Sequence, residues 1–154
     1  LPAKMQLQRS LPGVAGSCLW YSAAVVRDEG HYATALRQLY HTTPALQPAM
    51  PFIDDKAPRK PRRVKALWMP DGYYLFWTAP KARTALDEAR FYAVYRFAEG
   101  EKADISSARH LLCVTPQTML RLPYEDGRRK YTYVITALDR LQNESKGVKE
   151  KVRL

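Results

Sequence analysis

The sequence lacks most of the features that would identify a reaction. It has two cysteines, Cys18 and Cys113, and no CxxC or Cys/His pattern, so it offers no metal-binding motif. It contains no Gly-rich phosphate loop, no HExxH and no convincing Ser/His/Asp arrangement. No apolar run is long enough to cross a bilayer. We therefore predict no metal site, no cofactor and no transmembrane segment, and we expect both thiols to be buried.

The start of the chain shows no signal peptide, because Lys4, Gln6, Gln8 and Arg9 interrupt the apolar residues. The first residue is Leu1 rather than Met. We interpret the chain as an excised or processed part of a longer protein. The missing targeting segment then says nothing about the parent.

The net charge of +10 is unevenly distributed along the 154 residues. Residues 1–55 carry four basic and four acidic side chains, whereas residues 56–154 carry 21 basic and 11 acidic ones. This step predicts a domain boundary near residue 55. The basic residues are dispersed rather than clustered, which favours a solvated surface over a nucleic-acid site. We predict no nucleic-acid partner.

The first third has the pattern of one βα unit. Gly16 to Ser22 is a continuous apolar run of strand length, which predicts a strand buried on both faces. A helix follows, with Tyr32, Leu36, Leu39 and Tyr40 on one face and Asp28 as its expected cap. A single βα unit cannot bury its own strand. It therefore has to belong to a larger barrel or lean on a neighbouring domain.

A Pro-rich linker containing Pro48, Pro51, Pro58 and Pro61 separates this unit from a region with β-sandwich spacing. Seven strands are predicted there, over residues 63–69, 73–78, 90–97, 111–114, 118–122, 130–139 and 148–153. Period-two alternation predicts a core of Leu75, Trp77, Tyr92, Val94, Leu120, Leu122, Tyr133, Ile135 and Ala137. We assign residues 1–55 and 56–154 to separate domains.

Three fragments of this region read LFWTAP from Leu75, YAVYR from Tyr92 and YTYVITALDRLQNES from Tyr131. In order and spacing they resemble strands B, C and F of a fibronectin type III domain. Residues 58 to 154 therefore resemble such a domain. The resemblance implies a mainly β fold, a seven-stranded sandwich. It does not imply an activity, because these domains are mostly spacers or docking modules.

The first third contains Gln8-Arg9, Gly16 with an apolar strand ending in Tyr21-Ser22, a Leu/Tyr helix, and Ala45-Leu46-x-Pro48. In this order the fragments resemble the end of the barrel in bacterial glycosyl-hydrolase-like envelope proteins of the DUF187 type, where a fibronectin-like domain follows a TIM barrel. The resemblance implies a polysaccharide or glycan as the partner of the parent enzyme, and a cell-envelope, periplasmic or secreted location. It also implies that most of the barrel is absent from this chain.

Site residues follow from the position of that strand. Asp28 lies in the loop after the strand, on the functional face of a TIM barrel, where it could line a cleft or simply cap the helix. Trp20, Tyr21 and Ser22 end the strand, and an aromatic there could form a platform for a sugar ring or pack against barrel helices. Glycoside hydrolysis needs two carboxylates flanking the bond. None can be assigned here, so we predict no catalytic residue and no activity for this chain alone.

Alternation within the sandwich strands predicts aromatic side chains on the outside of the sandwich. The expected interface aromatics are Trp68, Tyr74, Phe76, Tyr95 and Phe97. Three explanations remain open: a rigid seam with residues 16–46, a glycan-binding strip, or a docking surface for another protein. Orphan strand edges also make a homodimer conceivable.

The sequence thus favours a non-catalytic C-terminal region of a glycoside-hydrolase-like protein, with the sandwich bracing or spacing the barrel through an intramolecular contact. The alternative is a stand-alone carbohydrate- or protein-binding fibronectin type III module.

Overall fold

A computed structural model describes residues 2–14 and 16–154, except for the side chain of Pro2. The chain divides into two compact units, the first ending at Thr43 and the second running from Pro44 to Leu154. The division lies before the predicted linker rather than within it. That Pro-rich segment therefore belongs entirely to the second unit.

The first unit is helical. Its helices are α1 (Pro2–Ser10), α2 (Ser22–Val26) and α3 (Tyr32–Leu39), with a 3₁₀ turn at Glu29–His31 before α3. The amphipathic pattern of α3 buries Leu36 and leaves Leu39 exposed. The predicted helix is therefore present, and α1 ends just before Pro12 and Gly13 as the sequence indicates.

The predicted strand over Gly16–Ser22 is wrong for this structure. Residues 16–21 are irregular, and Ser22 begins α2. The side chain of Trp20 is 98% exposed. The physical reason is that a strand of a parallel sheet needs a hydrogen-bonded neighbour on each side, and the described part of this unit contains no other strand.

The second unit is a sandwich of two antiparallel sheets, as predicted. Its strands are β1 (Arg62–Met69), β2 (Gly72–Thr78), β3 (Phe91–Ala98), β4 (Leu111–Thr115), β5 (Met119–Arg121), β6 (Lys130–Leu138) and β7 (Val148–Arg153). One sheet has the order β1-β2-β5 and the other β4-β3-β6-β7. The seven-stranded, mainly β arrangement implied by the fibronectin resemblance is confirmed.

The core between the sheets contains the side chains that alternation selects. Leu75, Val94, Ile135 and Ala137 have no exposed surface, and Leu120 packs against the same cluster while remaining partly exposed. The remaining core residues are Val64, Trp77, Tyr92, Leu122, Tyr133, Val152 and Leu154. Burial of this apolar surface is the main favourable contribution to the stability of the sandwich.

A second apolar cluster lies on the outer face of the four-stranded sheet. It comprises the buried side chains of Ala93, Tyr95, Phe97, Leu111, Val134 and Leu138, which we call the covered face. Leu46 from the Pro-rich segment, and Ala103 and Ile105 from the loop after β3, pack on it. The middle of this sheet is therefore buried on both sides.

The Pro-rich segment is held in place by the turn that follows β6. The backbone N–H of Met50 donates to the carbonyl of Leu141 at 3.1 Å, and the side-chain amide of Asn143 donates to the carbonyl of Asp54 at 3.0 Å. Segment 44–55 is thus part of the sandwich rather than a free spacer. Both cysteines are free thiols, but Cys18 is exposed and Cys113 is only partly buried, so the expectation of two buried thiols is wrong for Cys18 and only partly met by Cys113.

Candidate functional site

The residues predicted to contact substrate in the first unit lie on its surface. Trp20 is 98% exposed and Tyr21 is 53% exposed. Ser22 is exposed as the first residue of α2. These three residues adjoin one another in the chain, and their role in substrate binding stays a prediction.

Asp28 is engaged by the helix that follows it. Its carboxylate accepts hydrogen bonds from the backbone N–H of Thr34 at 3.0 Å and from the Thr34 hydroxyl at 2.6 Å. These bonds, the one from the hydroxyl first, hold the pKa of Asp28 below its ordinary value. Asp28 thus satisfies a free N–H in the first turn of α3, which is the capping role that the sequence indicates.

Two of the five predicted interface aromatics are buried inside the second unit. Tyr95 is 1% exposed and Phe97 is not exposed at all, because both belong to the covered face. The Tyr95 hydroxyl donates to Glu144 at 2.8 Å, and burial, followed by this bond, raises the pKa of Tyr95. The imidazole of His110 stacks on Phe97 with ring centroids 4.5 Å apart. Neither ring is available to a partner.

Trp68 extends the core at one end of the three-stranded sheet. It pairs across the strands with Tyr73 and contacts both Tyr73 and Tyr124, with ring centroids 4.9 and 4.7 Å away. Tyr73 itself packs against the main core. Trp68 is nevertheless 61% exposed, because it closes this end of the core only partly.

Tyr74 and Phe76 project from the other side of that sheet, because side chains alternate along β2 and the neighbouring Leu75 and Trp77 enter the core. The outward side chains of β1, β2 and β5 are Lys65, Leu67, Met69, Tyr74, Phe76, Met119 and Arg121, together the open face. Leu67, Met69 and Met119 are each about half exposed, at 51, 45 and 47%. No cluster of buried residues forms on this face among the residues described.

The side chains at one end of the open face are held by the turn between β1 and β2. The Tyr74 hydroxyl donates to the Asp71 carboxylate at 2.7 Å, and this bond raises the pKa of Tyr74. The Arg121 guanidinium donates to the Asp71 carbonyl at 2.8 Å. The Arg121 side chain passes over Gly72, and a Cβ atom at that position would lie 3.0 Å from Arg121 Nε. The Tyr74 and Phe76 rings lie side by side, with centroids 5.9 Å apart and planes 31° apart.

A second surface feature is a basic cleft of about 470 Å³ at the β6–β7 edge. Lys130, Lys151 and Arg153 line it together with Glu99 and Thr132. Lys130 forms an ion pair with Glu99 at 2.7 Å. Lys151 and Arg153 have no ion-pair partner among the described residues. The alternation of basic residues along β7 is the sequence signal for this cleft, which is also an exposed sheet edge that charge protects from pairing.

The fixed pair of Asp71 and Arg121 was not foreseen from the sequence. Pro70-Asp71-Gly72 reads only as a turn, and nothing in the sequence shows that Arg121 lies beside it. Over residues 2–14 and 16–154, no three His, Cys, Asp or Glu side chains are grouped so that they could hold a metal ion. Within the same ranges, no helix is both long and apolar enough to span a membrane.

A curated relative covers nearly the whole chain. The sequence is 32% identical over 150 residues, or 97% of this chain, to "Glycosyl hydrolase YngK" of Bacillus subtilis (strain 168). The chain spans only 29% of the length of that relative. No family model matches the chain. The chain is therefore related to part of a protein named as a glycosyl hydrolase.

Solved structures that resemble the chain cover the sandwich. FN3tt mut is 18% identical over 62% of this chain and 94% of its own, with a TM-score of 0.45. Titin kinase with its flanking domains is 19% identical over 60% of this chain and 16% of its own, also at 0.45. The Clostridium perfringens spore cortex lytic enzyme SleM is 14% identical over 63% and 28%, at 0.39. The sandwich fold itself rests on the strand order described above.

Proposed function

We propose that this chain is the non-catalytic region of a longer glycoside hydrolase, in which the sandwich braces or spaces a catalytic barrel. The observation that supports this most strongly is the 32% identity over 97% of the chain to a glycosyl hydrolase of which it spans only 29%. The longer protein then supplies the reaction, acts on a polysaccharide or other glycan, and resides in the cell envelope, in the periplasm or outside the cell. Residues 1–43 would be the end of the barrel.

Four of the 15 acidic residues are engaged in local structure, which supports a non-catalytic role for them. Asp28 is used as a helix cap, and Glu29 lies 3.6 Å from Arg27. In the sandwich, Asp87 and Asp139 are buried and accept several hydrogen bonds within their own loops. These carboxylates are already engaged in local structure. Hydrolysis requires a carboxylate pair directed at a glycosidic bond, and residues outside this chain would provide it.

Barrel strands outside this chain would also account for the irregular segment over residues 16–21. With neighbouring strands available, this apolar run would form the parallel strand that its pattern predicts. Trp20, Tyr21 and Ser22 would then line the substrate cleft at the strand's carboxyl end. In the complete enzyme, Tyr21→Ala should raise KM for the polysaccharide.

The size of the natural protein tests this proposal. Antibodies raised against this chain should detect a band several times larger than 17.7 kDa in extracts of the source cells. Polysaccharide hydrolysis should be recovered in the immunoprecipitate, while the purified chain should be inactive. A 17.7 kDa band alone, or hydrolysis by the purified chain, would contradict the proposal.

The bracing role needs its own measurement on that larger enzyme. Deleting residues 44–154 should make heat inactivation faster, because the catalytic region loses its support. Deletion should leave the initial rate on a small soluble oligosaccharide unchanged. Equal inactivation rates for the complete and shortened enzymes would rule out bracing and leave spacing or binding.

The second candidate function is a carbohydrate- or protein-binding module. The open face favours it, because this face combines exposed apolar side chains with two adjacent aromatic rings. Exposed apolar patches of this kind mark interaction sites more often than random surface.

A further inference from the structure

The open face combines three features that together describe one kind of ligand. Its centre is apolar and aromatic, formed by Leu67, Tyr74, Phe76 and Met119. Its margins carry cations, since Lys65 pairs across the strands with Phe76, and Arg121 pairs with Tyr74. Rings present flat apolar surfaces with a negative face, onto which the C–H groups of a sugar ring can stack.

Two polar groups of this face, those of Tyr74 and Arg121, are already in position before a ligand arrives. Asp71 fixes the Tyr74 ring through its carboxylate and the Arg121 guanidinium through its carbonyl. A guanidinium held in this way can present its remaining N–H groups to a carboxylate, a geometry for which arginine is well suited. Side chains that are fixed in advance lose less conformational entropy on binding, so the ligand is bound more tightly.

Charge selects among possible occupants. Residues 56–154 carry a net charge of +10, and Lys65 has no ion-pair partner among the described residues. A second copy of this chain would bring the same positive charge to the face. An anionic ligand would be attracted instead. A polymer of sugar acids combines carboxylates with sugar rings whose C–H groups can stack on the two adjacent aromatic rings.

We propose that the open face binds an acidic polysaccharide, with sugar rings stacked on Tyr74 and Phe76 and sugar carboxylates paired with Arg121 and Lys65. This binding site lies within the sandwich alone, whether or not a catalytic region accompanies the chain. An acidic polysaccharide is then the ligand class for a binding role of this domain.

Binding by the intact chain tests the proposal directly. Polygalacturonate should bind saturably in isothermal titration, and a neutral β-glucan should bind at least about tenfold more weakly, a ratio equal to ~1.4 kcal/mol. Polyglutamate, which has the carboxylates but no sugar rings, should also bind at least about tenfold more weakly. Raising the salt concentration should weaken polygalacturonate binding without abolishing it, because stacking is not screened.

Substitutions separate stacking from charge. Phe76→Ala and Arg121→Gln should each weaken polygalacturonate binding by about tenfold, comparable to the loss of one good contact. The double substitution Lys151→Gln/Arg153→Gln in the basic cleft is the control, because it removes more charge but should change the affinity by less than about twofold. Should Phe76→Ala fail to fold, Phe76→Leu keeps apolar volume while removing the ring, and it should weaken binding similarly.

The possible results are decisive in either direction. The proposal is overturned by an absence of saturable binding, by equal binding of polyglutamate and polygalacturonate, or by loss of binding in the cleft variant with Phe76→Ala unaffected. Dimerisation of the chain that Phe76→Ala abolishes, without glycan binding, would instead assign the face to a second copy. None of these results bears on whether the longer protein is a hydrolase.

Discussion

The two outer faces of the sandwich have similar compositions and opposite environments. Both carry aromatic rings, Tyr95 and Phe97 on one side, Tyr74 and Phe76 on the other. The first pair is buried under residues that the chain itself supplies, including Leu46. The second pair is only partly buried. Composition therefore does not distinguish an aromatic that contributes to stability from one available for binding; the path of the connecting segments does.

The largest expected effect comes from opening the covered face. Phe97→Ala should lower the free energy of unfolding by about 3 to 5 kcal/mol, because it leaves a cavity in a fully buried cluster. Phe76→Ala on the open face should cost less, about 1 to 2 kcal/mol, because its ring is only partly buried. Urea denaturation of both variants measures the difference. Similar losses for both would mean that the two faces are equally buried in solution.

Disrupting the turn after β6 is expected to have the next largest effect on stability, because this turn holds segment 44–55 in place. The carboxylate of Asp139 accepts from the backbone N–H groups of Leu141 and Asn143 at 2.8 and 3.0 Å, and from the Asn143 amide. Asp139→Ala would leave these buried donors without a partner and should cost about 1 to 3 kcal/mol.

Hydrogen exchange separates this effect from general destabilisation. In Asn143→Ala, which removes the bond to the Asp54 carbonyl, the Met50 amide should exchange faster while amides in β6 stay protected. Faster exchange at all amides of the sandwich would show that the turn supports the whole fold rather than segment 44–55 alone.

A smaller loss of stability is expected from a substitution within segment 44–55 itself. Leu46→Ala removes apolar surface that is only half-buried against the covered face, so it should cost about 1 kcal/mol. Shortened chains measure how much the whole of segment 44–55 contributes to stability. Residues 56–154 should unfold at a lower temperature than residues 44–154, because they lack segment 44–55. Equal midpoints for the two shortened chains would mean that segment 44–55 contributes nothing.

The last effect depends on pH and should be the same whichever face is altered: Asp87→Asn should lower the stability above about pH 4 and matter progressively less in acid. The backbone N–H of Thr84 and the side chain of Arg83, in that order, hold the pKa of Asp87 well below its usual range. A lowered pKa in the folded state stabilises the protein above about pH 4, the unfolded value, and this contribution is lost as the pH falls further. Asp87→Asn should therefore flatten the acid side of the stability profile, as followed by thermal unfolding.

Alternation was sufficient to find the strands and the core, but not the segments that bury the covered face. Leu75, Trp77, Tyr133 and Ile135 point inward because residues two apart share a face of a strand. The same rule places Tyr95 outward, and it does point away from the core, but into a second cluster. The near-continuous apolar run of β3 was the available signal, since such runs are typical of strands buried on both faces.

The same pattern misled at residues 16–22, where an apolar run also suggested a strand buried on both faces. Here no neighbouring strand exists in the described part of the unit, and Trp20 is exposed. A run of apolar residues shows that a segment can be buried on both faces. Whether it is buried depends on the elements that lie next to it in the fold.

The sequence by itself determined the local and periodic features: seven strands, the inward residues between the sheets, the α3 helix and its Asp28 cap. These depend on residues close together in the chain, so their pattern is sufficient. Only the tertiary structure decided which outer face is covered, where segment 44–55 is held, and that Asp71 positions both Tyr74 and Arg121. Those features join residues far apart in sequence, such as Asp54 with Asn143, and no periodicity encodes contacts that depend on the whole fold.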